Sequence, residues 1–133
     1  MINEKKISLC LIPGVFCDQS LFDETLAALN KKINTSFYSI DTPRTIEEAA
    51  ISLDATIDEP SYILGFSLGG WVAQEYAHRY PQKTKGLILI STTKDSVSSE
   101  TKKAIALACN ALESLPLSEM ISSLIDGYFD PSV

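Results

Sequence analysis

One serine in the sequence has the spacing of a residue that does nucleophilic chemistry. Residues 64–71 read LGFSLGGW, so Ser67 has Gly65 two positions before it and Gly69 two positions after it. The pattern G-x-S-x-G is that of a nucleophile elbow, a strained turn from a strand into a helix that exposes the serine hydroxyl. Glycine is needed at both positions because a Cβ there would clash with nearby backbone. The alternative is a tight glycine turn with an idle serine.

The segments on either side of Ser67 are the two elements that such a turn must join. The apolar stretch Ser61–Phe66 predicts a buried strand, and the spacing of apolar residues predicts a helix from about Leu68 to Tyr80. Pro81 ends that helix because proline cannot continue one. A helix that begins beside Ser67 aims its N-terminal N–H groups and positive dipole end at the hydroxyl.

The first two thirds of the chain alternate between predicted strands and predicted helices. The predicted strands are Ile7–Ile12, Ser36–Ile40, Ser61–Phe66 and Gly86–Ile90. A helix over 20–32, capped by Ser20, is predicted between the first and second strands. A second helix, capped by Thr45 and Glu48, is predicted between the second and third strands. This order predicts an α/β fold, a parallel sheet of about four strands flanked by helices. Beyond a break at 92–99, helices are predicted at about 98–113 and 118–126, with Gly127 as a C-terminal stop.

Composition bounds the class of protein and its partners. The chain has 133 residues, 45% of them hydrophobic and 21% charged, which is typical of one globular domain. Its net charge is −6 without a basic cluster, which disfavours nucleic acid and anionic membranes as partners. No apolar run approaches the roughly 20 residues of a membrane helix, and no secretory signal is recognised, so a cytoplasmic location is expected.

The cysteines do not point to a cofactor. Cys10, Cys17 and Cys109 have neither a metal-binding nor a redox spacing. Three cysteines without a secretory signal are interpreted as reduced thiols in the core or in loops. We therefore expect no metal and no cofactor.

Two stretches of the chain resemble the α/β-hydrolase family. Residues 64–92 read LGFSLGGWVAQEYAHRYPQKTKGLILIST, which is similar to the family's elbow, helix and next strand, and residues 10–22 read CLIPGVFCDQSLF, which is similar to its first conserved strand and loop. Many members have His-Gly in that loop, whereas this chain has Pro13-Gly14, as in esterase-like branches. The resemblance extends over residues 7–92 and fades after Thr93, where the family inserts a helical cap. It implies a core portion over 1–93 and the start of an incomplete cap over 94–133, within one domain.

The resemblance also implies a site and a reaction. In the family, the 36–40 and 62–66 strands would flank the 7–12 strand on opposite sides, which creates a binding crevice at the carboxyl ends of the strands. Ser67 would be the nucleophile, and the backbone N–H groups of Leu68 and Val15 would stabilise the oxyanion. The implied activity is hydrolysis of a small-molecule ester or related acyl substrate, of carboxylesterase type.

The base that a serine nucleophile needs is missing from residues 1–133. The family places an acid and then a histidine after the cap, and this sequence ends at Val133 within what resembles the cap. His78, the single histidine, lies 11 residues after Ser67 on one predicted helix. A rise of about 1.5 Å per residue separates them by roughly 16 Å, whereas a base must come within about 3 Å.

No acidic residue of the chain is expected to complete a triad. Asp95 follows the fourth strand, where a few family members carry their acid, but without a histidine to orient it is interpreted as a charged loop residue. The same interpretation applies to Asp126 and Asp130.

Two hypotheses stay open. In the first, the chain is the N-terminal half of a serine hydrolase about twice as long, and the acid and base lie beyond residue 133 or on a partner chain. In the second, it is a truncated or degenerate α/β-hydrolase-like protein without catalysis. An open apolar edge at the fourth strand predicts possible self-association.

Overall fold

A four-stranded parallel sheet forms the centre of the first of two compact units, Met1–Lys94 and Asp95–Val133. The structure is a computed structural model that describes residues 6–29 and 33–128. The strands are β1 (Ile7–Ile12), β2 (Ile33–Phe37), β3 (Ser61–Phe66) and β4 (Thr84–Ile90), in the order β2-β1-β3-β4. All three strand pairs are parallel. The predicted α/β fold is confirmed, including the placement of β2 and β3 on opposite sides of β1.

Three helices connect these strands. They are α1 (Asp23–Ala28), α2 (Ile46–Leu53) and α3 (Leu68–Arg79), with short 3-10 turns at Gln19–Phe22, Asp54–Thr56 and Pro81–Lys83. The predicted start of α2 is confirmed, since the Thr45 hydroxyl accepts a hydrogen bond from the Glu48 N–H at 3.1 Å. The Glu48 carboxylate reaches back to the N–H of Arg44, one residue before the cap, at 2.9 Å. Together these bonds satisfy two donors at the start of α2.

The central strand β1 is buried on both faces. Successive residues of a strand point to opposite sides of the sheet, so β1 contributes to two separate cores. Cys10 and Ile12 lie in one core, and Leu9 and Leu11 lie in the other. The first core contains the inward faces of α2 and α3 (Ala49, Ala50, Leu53, Val72, Ala73, Tyr76), and the second contains Phe22 and Leu64. This two-sided burial explains why β1 has a continuous rather than an alternating apolar sequence.

The first crossover differs from its prediction at the start of the helix. The predicted helix 20–32 is a 3-10 turn followed by α1, which ends at Ala28; residues 30–32 of that prediction lie outside the described residues. The cap is Asp18 rather than Ser20, because the Asp18 carboxylate accepts a hydrogen bond from the Ser20 N–H at 2.9 Å. The 3-10 turn therefore begins at Gln19.

The second strand also begins earlier than predicted. Ile33, which fits the helical spacing of the preceding segment, is the first residue of β2 and pairs with Ile7. The strand ends at Phe37 instead of Ile40. Residues 34–36 are polar, and they lie on an edge strand where burial does not demand apolar side chains, so the apolar pattern gave no signal for a strand there.

The last strand lies at the other edge of the sheet. β4 begins at Thr84, two residues before the predicted start, and pairs with β3 alone. Its apolar residues from Leu87 to Ile90 are each about 40% exposed, with values of 37% to 43%. Self-association through this edge stays a prediction.

The described part of the second unit is mostly helical. It contains α4 (Ser99–Glu113) and α5 (Leu117–Tyr128), close to the predicted ranges. The helix continues through Gly127, so Gly127 is not the predicted stop, and Asp126 is a helix residue rather than a loop residue. Asp130 lies outside the described residues. Among the helices of the described ranges, none is long and apolar enough to cross a membrane.

Candidate active site

Ser67 lies at the junction between β3 and α3 in a strained backbone conformation. Its φ of 52° and ψ of −116° are unfavourable for a residue with a Cβ. The Ser67 N–H donates to the carbonyl of Ile90 at 2.9 Å, and the Ser67 carbonyl accepts from the N–H of Gly70 at 2.9 Å. These bonds hold the turn from both sides. Such strain costs about 1–3 kcal/mol and persists where the surroundings enforce it, most often at functional sites.

The two glycines of the motif allow three backbone segments to approach each other. A Cβ on Gly65 would lie 2.4 Å from the carbonyl oxygen of Gly69. A Cβ on Gly69 would lie 2.4 Å from the carbonyl oxygens of both Ile12 and Pro13. The end of β3, the start of α3 and the loop after β1 therefore meet at distances that only glycine permits.

The loop after β1 lies directly beside Ser67. A Cβ on Gly14 would be 3.1 Å from the Cβ of Ser67. The Cys17 N–H donates to the Gly14 carbonyl at 3.3 Å, which closes a tight turn with Val15 and Phe16 at its two central positions. Phe16 has a left-handed φ of 59°. This turn presents Val15 next to the serine, as the resemblance implied.

Two backbone donors near Ser67 are not used by the local backbone structure. The turn's hydrogen bond is made by the Cys17 N–H and leaves the N–H of Val15 free of that bond. Leu68 is the first residue of α3, so its N–H has no acceptor within the helix. Both residues border the same cavity as Ser67.

The cavity beside Ser67 has a volume of about 440 Å³, within the usual range for small-molecule sites. It is lined by Val15, Ser67, Leu68, Trp71, Ser91, Thr92 and Thr93. None of these lining residues is charged, and none is a histidine. Ser91 follows β4 and, like Ser67 and Phe16, has a left-handed φ, here 51°. The three strained residues thus follow the carboxyl ends of β4, β3 and β1, around the predicted crevice.

Trp71 is a lining residue that lies outside the predicted motif. Its indole Nε1–H donates to the carbonyl of Thr93 at 3.1 Å, and the side-chain amide of Gln74 donates to the same oxygen at 3.1 Å. On the same segment, the Thr92 side chain packs against Gly70, where an added Cβ would be 2.4 Å away. A sequence signal for Trp71 existed, because it lies four residues after Ser67 and therefore one helical turn further on the same face.

The other titratable candidates are placed differently. His78 is exposed in the last turn of α3, on the same helix that begins beside Ser67, and it does not line the cavity. Asp95 is an exposed residue of the stretch between β4 and α4. In the ranges that the structure describes, no group of three or more His, Cys, Asp or Glu side chains could hold a metal ion.

A polar network anchors α3 away from the cavity lining. The buried Tyr76 hydroxyl donates to the Asp54 carboxylate at 3.1 Å, and Lys83 pairs with the same carboxylate oxygen at 2.7 Å. The hydrogen bond from Lys83 is the main cause that lowers the pKa of Asp54. Burial, and then the hydrogen bond to Asp54, raise the pKa of Tyr76. Burial also raises the pKa of the Cys10 thiol, which is an inert core residue here.

Short segments of the chain match curated esterases. The chain is 48% identical over 50 residues to the pimeloyl-[acyl-carrier protein] methyl ester esterase of Neisseria meningitidis serogroup C. The matched segment is 38% of this chain and 20% of that protein. The chain is 45% identical over 42 residues to the enzyme of the same name from Chromobacterium violaceum. That segment is 32% of this chain and 16% of the enzyme. The matched segment spans about a fifth or less of each relative.

Solved structures and a family model cover more of the chain. The type II thioesterase YbtT of the yersiniabactin pathway superposes with a TM-score of 0.64 at 22% identity, covering 98% of this chain and 56% of that chain. A protein assigned as a lipase (lip1) from Acinetobacter baumannii AYE superposes with a TM-score of 0.63 at 24% identity. The superposition covers 77% of this chain and 40% of the lipase chain. These identities show the fold alone. A family model described as alpha/beta hydrolase fold matches residues 17–114, so the chain belongs to the α/β-hydrolase family.

Proposed function

We propose that this chain carries the nucleophile and the oxyanion site of a serine hydrolase of carboxylesterase type. The observation that carries the proposal is the strained turn at Ser67, which opens on a cavity that Val15 and Leu68 also line. A strained serine with two adjacent backbone donors provides the nucleophile and the oxyanion site that acyl transfer requires in addition to a base. The substrate would be a small-molecule ester or a related acyl compound.

The reaction follows from the positions of these groups. The Ser67 Oγ attacks the carbonyl carbon of the ester while its proton passes to a base. The resulting oxyanion accepts hydrogen bonds from the N–H groups of Val15 and Leu68, and each such donor is worth about 3–4 kcal/mol in the transition state. The carbonyl re-forms as the alkoxide leaves with that proton, and water then releases the acyl group from Ser67 by the same steps. The base and its acid would come from residues beyond Val133 or from a partner chain.

The named relatives support an ester or thioester substrate. Two curated relatives are methyl ester esterases by name, and a structural neighbour is a thioesterase. In both reactions a nucleophile attacks an acyl carbonyl, and only the leaving atom differs. Because the relatives are matched over a fraction of their length, the activity and substrate of this protein are inferred from the site.

A second candidate function is binding without catalysis, in a truncated or degenerate family member. It is favoured by the absence of any histidine or carboxylate among the cavity-lining residues and by the exposed position of His78. The cytoplasmic location remains a prediction of the sequence under either function.

A fluorophosphonate probe with mass detection tests the proposal. It reacts with activated serines, and peptide mapping identifies the labelled residue. The proposal predicts little labelling of the 133-residue chain and strong labelling of Ser67 in a longer product that adds an acid and a histidine. Ser67→Ala is the matched control and should abolish the label. If the longer product were not labelled at Ser67, the non-catalytic function would be favoured.

A further inference from the structure

The cavity beside Ser67 has an aromatic wall that is fixed in place. Trp71 is half-buried, and its indole N–H bond to the Thr93 carbonyl at 3.1 Å sets the orientation of the ring. Gln74 donates to the same carbonyl and also to the Gly70 carbonyl, each at 3.1 Å. Two donors from adjacent turns of α3 therefore hold one oxygen of the segment that follows β4.

The segment that receives these bonds is itself constrained. Ser91 has a left-handed φ of 51°, and Thr92 packs so closely on Gly70 that a Cβ there would lie 2.4 Å from its side chain. The preceding residue, Ile90, accepts the N–H of Ser67. The backbone from Ile90 to Thr93 thus links the nucleophile's turn to the indole, which fixes the distance between them.

The lining determines which acyl groups fit. Val15, Leu68 and Trp71 are apolar lining residues, and the remaining lining residues are serines and threonines, of which Thr92 has a buried hydroxyl; none carries a charge. Burying a carboxylate or ammonium group against such a surface is costly without a paired charge. Moving an aliphatic chain from water onto the indole face has no such cost in free energy, because the chain is apolar and the indole offers a large apolar area.

We propose that Trp71 is a specificity-determining residue that selects uncharged aliphatic acyl groups. This inference rests on the proposed function, because it assigns the substrate class of the same site. Gln74 is a positioning residue that acts through the shared Thr93 carbonyl. An acyl group bound to Ser67 lies along the indole, and its charged analogue is rejected by the cost of desolvation.

A pair of ketones that differ only at the end of the chain, where one has a methyl group and the other a carboxylate, tests the substrate class. Both 2-octanone and 7-oxooctanoate have eight carbons and a methyl ketone, but only the second ends in a carboxylate. Titrations are followed by the indole N–H resonance, which belongs to Trp71 because the sequence contains a single tryptophan. We expect 2-octanone to shift this resonance and to bind at least about tenfold more tightly than 7-oxooctanoate. Equal affinities, or binding without an indole shift, would overturn the proposal.

Variants test the role of the ring. Trp71→Ala should weaken 2-octanone binding about tenfold by calorimetry, and Trp71→Phe should weaken it less because an aromatic surface remains. Ile51→Ala, on the exposed side of α2, is the matched control and should bind as the wild type does. If Trp71→Ala does not fold, the titration of the wild type still decides. Wild-type affinity in folded Trp71→Ala contradicts the proposal.

Two more variants separate this inference from the proposed function and from a structural role. Gln74→Ala should increase solvent exchange of the Trp71 indole N–H while leaving the ring in the cavity; an unchanged exchange rate would contradict its positioning role. Ser67→Ala should keep the tenfold discrimination between the ketones, because discrimination resides in the lining. If the longer product that adds an acid and a histidine is not labelled at Ser67 but the discrimination between the ketones is intact, only the proposed function is contradicted. If that product is labelled at Ser67 but the ketones bind equally, only this inference is contradicted.

Discussion

The backbone N–H of Ser67 donates to the carbonyl oxygen of Ile90 at 2.9 Å, across the boundary between β3 and β4. This bond continues the pairing of the two strands, in which Phe66 is the partner of Ile90. It therefore extends the sheet by one residue into the turn and holds Ser67 where α3 must begin. The strained φ of the serine is maintained by the sheet on one side and by the helix on the other.

The motif glycines should tolerate no side chain. In Gly65→Ala and Gly69→Ala, the new Cβ would lie 2.4 Å from backbone oxygens that cannot move independently. We expect each variant to lose about 3 kcal/mol in the free energy of unfolding, measured by urea denaturation. Gly86→Ala is the control, because its Cβ would meet only the Tyr62 ring at 3.1 Å, and it should remain within about 1 kcal/mol of wild type. Equal losses in all three variants would show that the close approach is not the cause.

Removing the Cβ of Ser67 should stabilise the fold. The φ of 52° is strained for serine and readily adopted by glycine. The relief of about 1–3 kcal/mol exceeds the roughly 1 kcal/mol of chain entropy that glycine adds to the unfolded state. We predict that Ser67→Gly is about 1 kcal/mol more stable than Ser67→Ala, which keeps the Cβ. Thermal unfolding of the pair measures the difference, and an Ala variant as stable as the Gly variant would contradict a strained elbow.

The Thr92 hydroxyl should be replaceable by a methyl group. Its Oγ1 is buried and, within the described part of the chain, has no hydrogen-bond partner. An unsatisfied buried hydroxyl costs about 1–3 kcal/mol, so Thr92→Val, which keeps the shape against Gly70, should be about 1 kcal/mol more stable. Thr92→Ser retains the hydroxyl and loses a methyl contact, so it should be less stable than wild type. Urea unfolding distinguishes them; destabilisation by valine would mean that the hydroxyl is satisfied in solution.

Acid should weaken the network that anchors α3. Lys83 lowers the folded-state pKa of Asp54 below its ordinary value of 3.8, and Tyr76 adds a second hydrogen bond. A carboxylate with a lowered pKa contributes its full stability above the unfolded-state pKa and loses it as pH falls through the folded-state pKa. Lys83→Met should therefore be less stable than wild type at about pH 6, and the difference should shrink towards about pH 2.5. A difference in stability that does not change with pH would contradict the contribution assigned to the Asp54 carboxylate.

The sequence was most informative where burial dictates residue type. β1 and β3 have their predicted bounds because both are buried on two faces and read as continuous apolar runs. The turn at Ser67 followed from Gly65 and Gly69, whose close contacts leave no other residue possible. At these positions the local sequence and the three-dimensional environment impose the same requirement.

The sequence was least informative where one residue fits two elements. Ile33 has the spacing of a helical core position, yet it begins β2, because pairing with Ile7 is decided by a strand 26 positions earlier. The indole of Trp71 and the carbonyl of Thr93 are 22 residues apart, so no local pattern links them. The turn that carries Ser67 was predictable from a motif, whereas the wall of the cavity depended on long-range contacts.

Ser67 lies in a turn suited to a nucleophile, but the cavity lining offers it no base. Imidazole from solution can occupy an open cavity and act as that base. The most direct test is the rate of fluorophosphonate labelling of Ser67 in the 133-residue chain with and without imidazole, with Ser67→Ala as the blank. We predict slow labelling that rises in proportion to imidazole and is confined to Ser67. Labelling that imidazole does not accelerate, or that falls equally on other serines, would contradict the account.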